Sequence, residues 1–98
     1  MADTVLASKT DTKIKQPSMY KVVFHNDNYT PMNFVVALLI QVFDKSVLEA
    51  QELMLTVHQT GRGVAGIYTY EIANQKISEA NYAAQSREHP LKITLEKE

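Results

Sequence analysis

Two short runs of alternating residues, one near the start of the chain and one at its end, limit what it can fold into more than any other feature. In "MYKVVFHN" Tyr20, Val22 and Phe24 fall on one face and Lys21, Val23 and His25 on the other. In "LKITLEKE" Leu91, Ile93 and Leu95 alternate with Lys92, Thr94 and Glu96. A period of two belongs to a strand with one face on a core and one in water. The residues between the two runs must therefore supply whatever covers the apolar face.

Those residues carry the marks of helices. "FVVALLI" is apolar almost all round and β-branched enough to suit a buried strand, so the start signal decides. Thr30-Pro31 offers a hydroxyl cap followed by proline at the first helical position, which predicts a helix from there to about Phe43. Ser46 and Glu49 have the spacing of a capping box and Gly61 that of a stop, predicting a second helix over about Val47 to Thr60. "GVAGIYTY" is short and bounded by glycine; with Val64, Ile67 and Tyr68 it reads as a strand, and Gly66 marks a bulge or a close backbone approach. From Glu71 onward Ala73, Ile77, Ala80 and Ala84 trace one face of a third helix that Thr69 can cap, and His89-Pro90 ends the connection. The expected fold is α+β: a βααβαβ sandwich with a three-stranded antiparallel sheet packed on three helices.

With 98 residues there is material for one modest core, expected over residues 19–98. Residues 1–18 are rich in Thr, Ser, Lys and Asp, and read as a mobile N-terminal extension. Ten Lys+Arg against eleven Asp+Glu leave a formal charge of -1, which provides no basic field for nucleic acid. The lack of cysteine removes disulfides, zinc–thiolate sites and thiol nucleophiles, and suits a reducing, cytoplasmic setting. No apolar stretch approaches twenty residues, so neither a membrane span nor an export signal is expected.

The chemistry-bearing residues gather in two places. "HNDNYTPMN" sets Asn26, Asp27 and Asn28 between strand and helix, where such residues commonly form side-chain-closed turns. Met54, Val57 and His58 share a face of the second helix, giving an apolar wall with one imidazole. Taken singly, each has an ordinary structural explanation: a turn former, a dipole-complementing His, a core-filling Met. Ser46, His58 and Asp27 include the types used in acyl transfer, but no nucleophile elbow, phosphate-binding loop or HExxH accompanies them, so no catalytic residue is assigned. His25, His58 and His89 fit no metal-ligand spacing, and neither metal nor cofactor is expected.

Together, "YKVVFHNDNYTPMNFV", "LMLTVHQTGRGVAGIYT" and "HPLKITLEKE" closely resemble ClpS, the adaptor family that delivers N-end-rule substrates to a Clp unfoldase-protease. The resemblance runs from about residue 19 to the end, and the family fold has the same βααβαβ order, shared in outline with the C-terminal domain of the ribosomal stalk protein. It implies a pocket for a free peptide amino terminus bearing a bulky side chain. Asn26, Asp27 and His58 would accept hydrogen bonds from the α-ammonium group, and Met32, Val35, Met54, Val57 and Leu91 would enclose the side chain. Thr30, with Asn28, would hold the peptide backbone; Met32 would act as a gate against branching at Cβ, so that Leu, Phe, Tyr and Trp enter while Ile and Val do not. Glu71 and Lys76 match contacts to the amino-terminal domain of a ClpA-type AAA+ unfoldase. Where the family carries Asn-Asp-Asp this chain has Asn26-Asp27-Asn28, removing one carboxylate from the pocket mouth and with it part of the field that acts on the peptide's second residue. The competing expectation is a stalk-like interaction module without a pocket.

Overall fold

The computed structural model describes residues 17–98; the extension expected at the N-terminus lies, up to Gln16, outside the described residues. The elements are β1 (Met19–His25), α1 (Met32–Gln41), α2 (Val47–Thr60), β2 (Arg62–Thr69), α3 (Tyr70–Ser86) and β3 (Lys92–Lys97), the βααβαβ order expected from the periodicity. The three strands form one antiparallel sheet in the order β2-β1-β3. The first alternating run is thus the central strand, with a partner along each edge.

That position explains how β1 is buried. Val22 and Phe24 enter the helix-covered core, where Phe24 meets Phe43 edge-on with ring centroids 5.3 Å apart. Val23 points to the opposite face and is equally inaccessible. It pairs with Val64 on one side and Thr94 on the other, and the Arg62–Glu96 ion pair joins the two outer strands across that face, with nitrogen–oxygen distances of 2.7 and 2.8 Å. Inward positions of β2 are Gly63 and Ala65, while Val64 and Ile67 are exposed. The register between β1 and β2 slips between Val22 and Val23, next to Gly66 as the sequence suggested. Gly66 also accepts a close approach: the Tyr68 ring lies over it, and a β-carbon there would overlap the phenol.

The second helix follows its sequence signals closely. Ser46 Oγ accepts from the Glu49 N–H at 3.1 Å while Glu49 Oε1 accepts from the Ser46 N–H at 3.0 Å. Gly61 ends the helix in the left-handed region at φ 94°, donating its N–H to Val57 O. The first helix departs from expectation. It starts at Met32 and ends at Gln41, and its cap residue is Pro31 with no side-chain hydrogen bond. Thr30 does not cap it: it lies one residue before the cap position, and its hydroxyl and its N–H both donate to the Asp27 carboxylate. Thr69 does sit at the cap position of α3, again without a side-chain bond.

Helix α3 lies against all three strands through Ala73, Ala80 and Ala84, whose small side chains let it sit close to the sheet. Lys76 fastens the layers together. Its Nζ donates to Val42 O, in the turn after α1, at 2.8 Å, lies 3.5 Å from Asp44 Oδ2, and sits 5.4 Å from the centre of the Tyr68 ring.

Candidate functional site

The β1–α1 loop is held in shape by its own side chains. Asp27 Oδ1 accepts from the N–H groups of Tyr29 (2.8 Å) and Thr30 (2.7 Å), and Oδ2 accepts from the Thr30 hydroxyl (2.9 Å). Partial burial pushes the Asp27 carboxyl up. The Thr30 and Tyr29 N–H groups, the Thr30 hydroxyl and the nearby His89 outweigh it and hold the group below its usual range. Asp27 is therefore a fixed anion at neutral pH, with acceptor capacity left after three bonds. The neighbouring Asn26 N–H donates to Gly61 O at 2.9 Å, binding the loop to the end of α2.

This fastening shapes a narrow pocket where the end of β1, the loop, α1 and α2 meet. Val35 from α1, Met54 and Val57 from α2, and Leu91 ahead of β3 form its apolar walls. Asn26, Asp27 and Thr30 line its polar side, and His25 at the strand end completes the lining. The four apolar residues are all buried. The space inside is narrow, with room for about one water molecule, so a bulky side chain must spread the walls to enter.

Seven of the residues singled out from the sequence thus meet around one cavity: Asn26, Asp27, Thr30, Val35, Met54, Val57 and Leu91. The others stand elsewhere. Met32, 42% exposed at the start of α1, is not a wall of this pocket but lines an adjoining open groove of about 320 Å3 with Val36 and Leu55; Met54 lines both. His58 is exposed in the last turn of α2, next to Val57, outside the pocket lining. Asn28 is exposed on the loop and also outside it. Glu71 is exposed at the start of α3, beside a depression shared with Tyr20 and Tyr70. Lys76 is far from a solvated helix position: its side chain is only 20% exposed and committed to the bonds described above.

Two contributors escaped sequence reading. His25 belongs by alternation to the open face of the sheet, where its Nε2 lies 2.7 Å from Thr94 Oγ1, yet it also reaches the pocket because the strand ends there. Gly63 gives no chemical signal at all, but it is where α2 rests on β2. Among the described residues no helix is long and apolar enough to cross a membrane, and no group of three or more His, Asp or Glu is placed to hold a metal ion.

Residues 15–94 match the family described as "ATP-dependent Clp protease adaptor protein ClpS". The chain belongs to the ClpS family. Curated ClpS relatives are similar along nearly its whole length: the ATP-dependent Clp protease adapter protein ClpS of Maricaulis maris is 50% identical over 97% of this chain and 87% of its own. That of Desulfotalea psychrophila is 49% identical over 94% of this chain and 90% of its own. Among solved structures, Agrobacterium tumefaciens ClpS2 bound to L-phenylalaninamide superposes with a TM-score of 0.81 at 36% identity, over 85% of this chain and all of that one. Membership of ClpS makes the protein an adaptor of the Clp protease.

Proposed function

We propose that the protein binds the free amino terminus of proteins beginning with Leu, Phe, Tyr or Trp and delivers them to a Clp AAA+ unfoldase, without catalysing a reaction itself. The observation that carries this reading is a set of hydrogen-bond acceptors on one side of an otherwise apolar pocket. An α-ammonium group has three N–H donors, and Asn26 Oδ1 and the free acceptor positions of Asp27 meet them at the pocket's polar side. His58, exposed just beyond Val57, supplies a further acceptor once a peptide lies over the mouth, and Thr30 with Asn28 holds the peptide backbone.

The side chain of the first residue enters between Val35, Met54, Val57 and Leu91, with Met32 closing over it from the adjoining groove. Burial of such a side chain contributes roughly 1.5–3 kcal/mol. Each charge-assisted bond to the amine adds about 1.5–3 kcal/mol before ordering costs. That is enough for binding that can still be reversed at the protease. The ligand named for the Agrobacterium relative, L-phenylalaninamide, has the two groups this reading requires, a free α-amine and a bulky apolar side chain.

Docking on the unfoldase's amino-terminal domain falls to Glu71 and the α3 face around it. Lys76 would serve there only by giving up its bonds to Val42 and Asp44, so its part is first to hold the turn between α1 and α2. The core domain is residues 19–98. A stalk-like module of the same fold without a pocket has no use for acceptors lining an apolar cavity.

Fluorescence anisotropy with peptides differing only in the first residue tests the reading. Leu-first and Phe-first peptides are expected to bind and an Ala-first peptide to bind at least about tenfold more weakly, since it forfeits the side-chain burial. Equal affinities for all three would refute it.

A further inference from the structure

Val57 is a wall of the pocket and also the residue through which α2 rests on β2. Opposite it stands Gly63, a buried inward position of β2. A β-carbon built on Gly63 would lie 2.8 Å from Val57 Cγ2 and 3.0 Å from Leu53 Cδ1, well inside contact distance. Gly63 has an ordinary backbone, so the chain does not need glycine there for a turn. What it provides is space: with α2 where it is, a β-carbon at this position fits only if the Val57 and Leu53 methyl groups give way.

From this we infer that Gly63 is a specificity-setting residue of the pocket, the missing side chain that determines how far Val57 stands back and hence how wide a first residue the pocket admits. The inference rests on the peptide-binding role proposed above. Leu53 can yield, because its terminal methyl group swings on a flexible chain and faces a groove between α2 and β2. Val57 yields less easily: a β-branched side chain in a helix has one strongly preferred rotamer, so its γ-methyl cannot turn aside. Its other flank is the pocket. A β-carbon added at Gly63 therefore presses Val57 toward Val35 and Leu91, and the width lost is up to about 1 Å, the difference between 2.8 Å and an ordinary carbon contact. Phe and Trp fill more of the pocket than Leu and so lose more from such narrowing.

Gly63→Ala should accordingly shift the preference from Phe and Trp toward Leu. One methylene's difference in an apolar pocket discriminates by about tenfold or more, and the narrowing here is smaller than that, so the Phe-to-Leu affinity ratio should fall by roughly threefold to tenfold. General loss of folded protein would weaken both peptides equally and leave the ratio unchanged. The test titrates wild type, Gly63→Ala and Gly63→Ala/Val57→Ala with Leu-first and Phe-first peptides, and measures methyl–methyl NOEs between residue 57 and Val35 or Leu91 in the free wild type and Gly63→Ala. The expected results are a lowered Phe-to-Leu ratio in Gly63→Ala, its recovery in the double variant, where the pressed side chain has been shortened, and stronger NOEs in Gly63→Ala. An unchanged or raised ratio, or no recovery on shortening Val57, overturns the inference while leaving peptide recognition intact. Failure of wild type to bind either peptide removes the recognition reading instead, and unchanged NOEs in Gly63→Ala then dispose of the narrowing as well.

Discussion

Replacing Lys76 by Met removes the one charged group that ties α3 to the turn between α1 and α2, and its cost can be worked out from three contacts. The 2.8 Å bond from Nζ to Val42 O satisfies a carbonyl at the end of α1 that has no partner within the helix. As a charge-assisted bond with the lysine side chain only 20% exposed, it contributes about 1.5–3 kcal/mol. The Tyr68 ring, 5.4 Å from Nζ, adds roughly 0.5–1 kcal/mol. The 3.5 Å pair with Asp44 adds little, because the Asp44 side chain is 83% exposed and surface pairs contribute about 0–1 kcal/mol. Met keeps most of the aliphatic stem, so packing losses are small. The net destabilisation should be about 2–4 kcal/mol, and at roughly 4–8 °C per kcal/mol for a domain of this size, a fall in Tm of at least roughly 8 °C. Asp44→Asn is the control: Asn tolerates the left-handed backbone at φ 59° and removes only the weak pair, so its Tm should move less than that of Lys76→Met, by at most about 8 °C. Differential scanning calorimetry on the three proteins decides the matter. A Lys76→Met melting point within about 2 °C of wild type, or an equal loss in Asp44→Asn, would refute the assignment of the stabilisation to the Val42 carbonyl.

Asp27 gives a prediction in pH. Its carboxyl is held below the usual 3.8, so the stability it contributes is fully present above that value and is lost as pH falls through the depressed folded value. Urea unfolding of Asp27→Ala should show a deficit of about 1–3 kcal/mol at neutral pH that shrinks below about pH 3.8; a constant deficit would mean that the three hydrogen bonds do not depend on the charge. The gate assigned to Met32 is tested by selectivity: Met32→Ala should lower the Leu-to-Ile affinity ratio by about tenfold, and an unchanged ratio would move the gate to Met54, which lines both the groove and the pocket. Glu71→Gln should weaken capture of the unfoldase's amino-terminal domain in surface plasmon resonance while leaving Leu-first peptide affinity unchanged; unaltered capture would exclude Glu71 from docking.

The fold was legible wherever a local signal had a local cause. The capping box at Ser46 and Glu49 and the stop at Gly61 are satisfied within a few residues, so α2 runs over the expected Val47–Thr60. Alternation placed Val22 and Phe24 in the core correctly. It could not show that Val23 would be buried too, because that depends on β1 becoming the central strand. Thr30 misled for a related reason. Its N–H and hydroxyl both donate to the Asp27 carboxylate within the loop and the helix begins one residue later than it would if Thr30 were the cap, a local choice a sequence does not settle. The pocket residues were named through likeness to a family rather than from periodicity, and seven of them surround one cavity. Lys76 and Gly63 were obscure because their roles lie in tertiary contacts across elements more than five residues apart, where neither charge pattern nor glycine count gives any sign.

Acetylating the amine of a Leu-first peptide tests the central claim most directly, since it leaves the side chain and the rest of the chain unaltered and converts the α-ammonium group into a neutral amide. Isothermal titration calorimetry at neutral pH should show binding of the free peptide and a loss of at least about a hundredfold on acetylation, because two charge-assisted bonds to Asn26 and Asp27 vanish and their acceptors face a group with a single N–H. Equal affinity for the acetylated peptide would contradict recognition of a free amino terminus in this pocket.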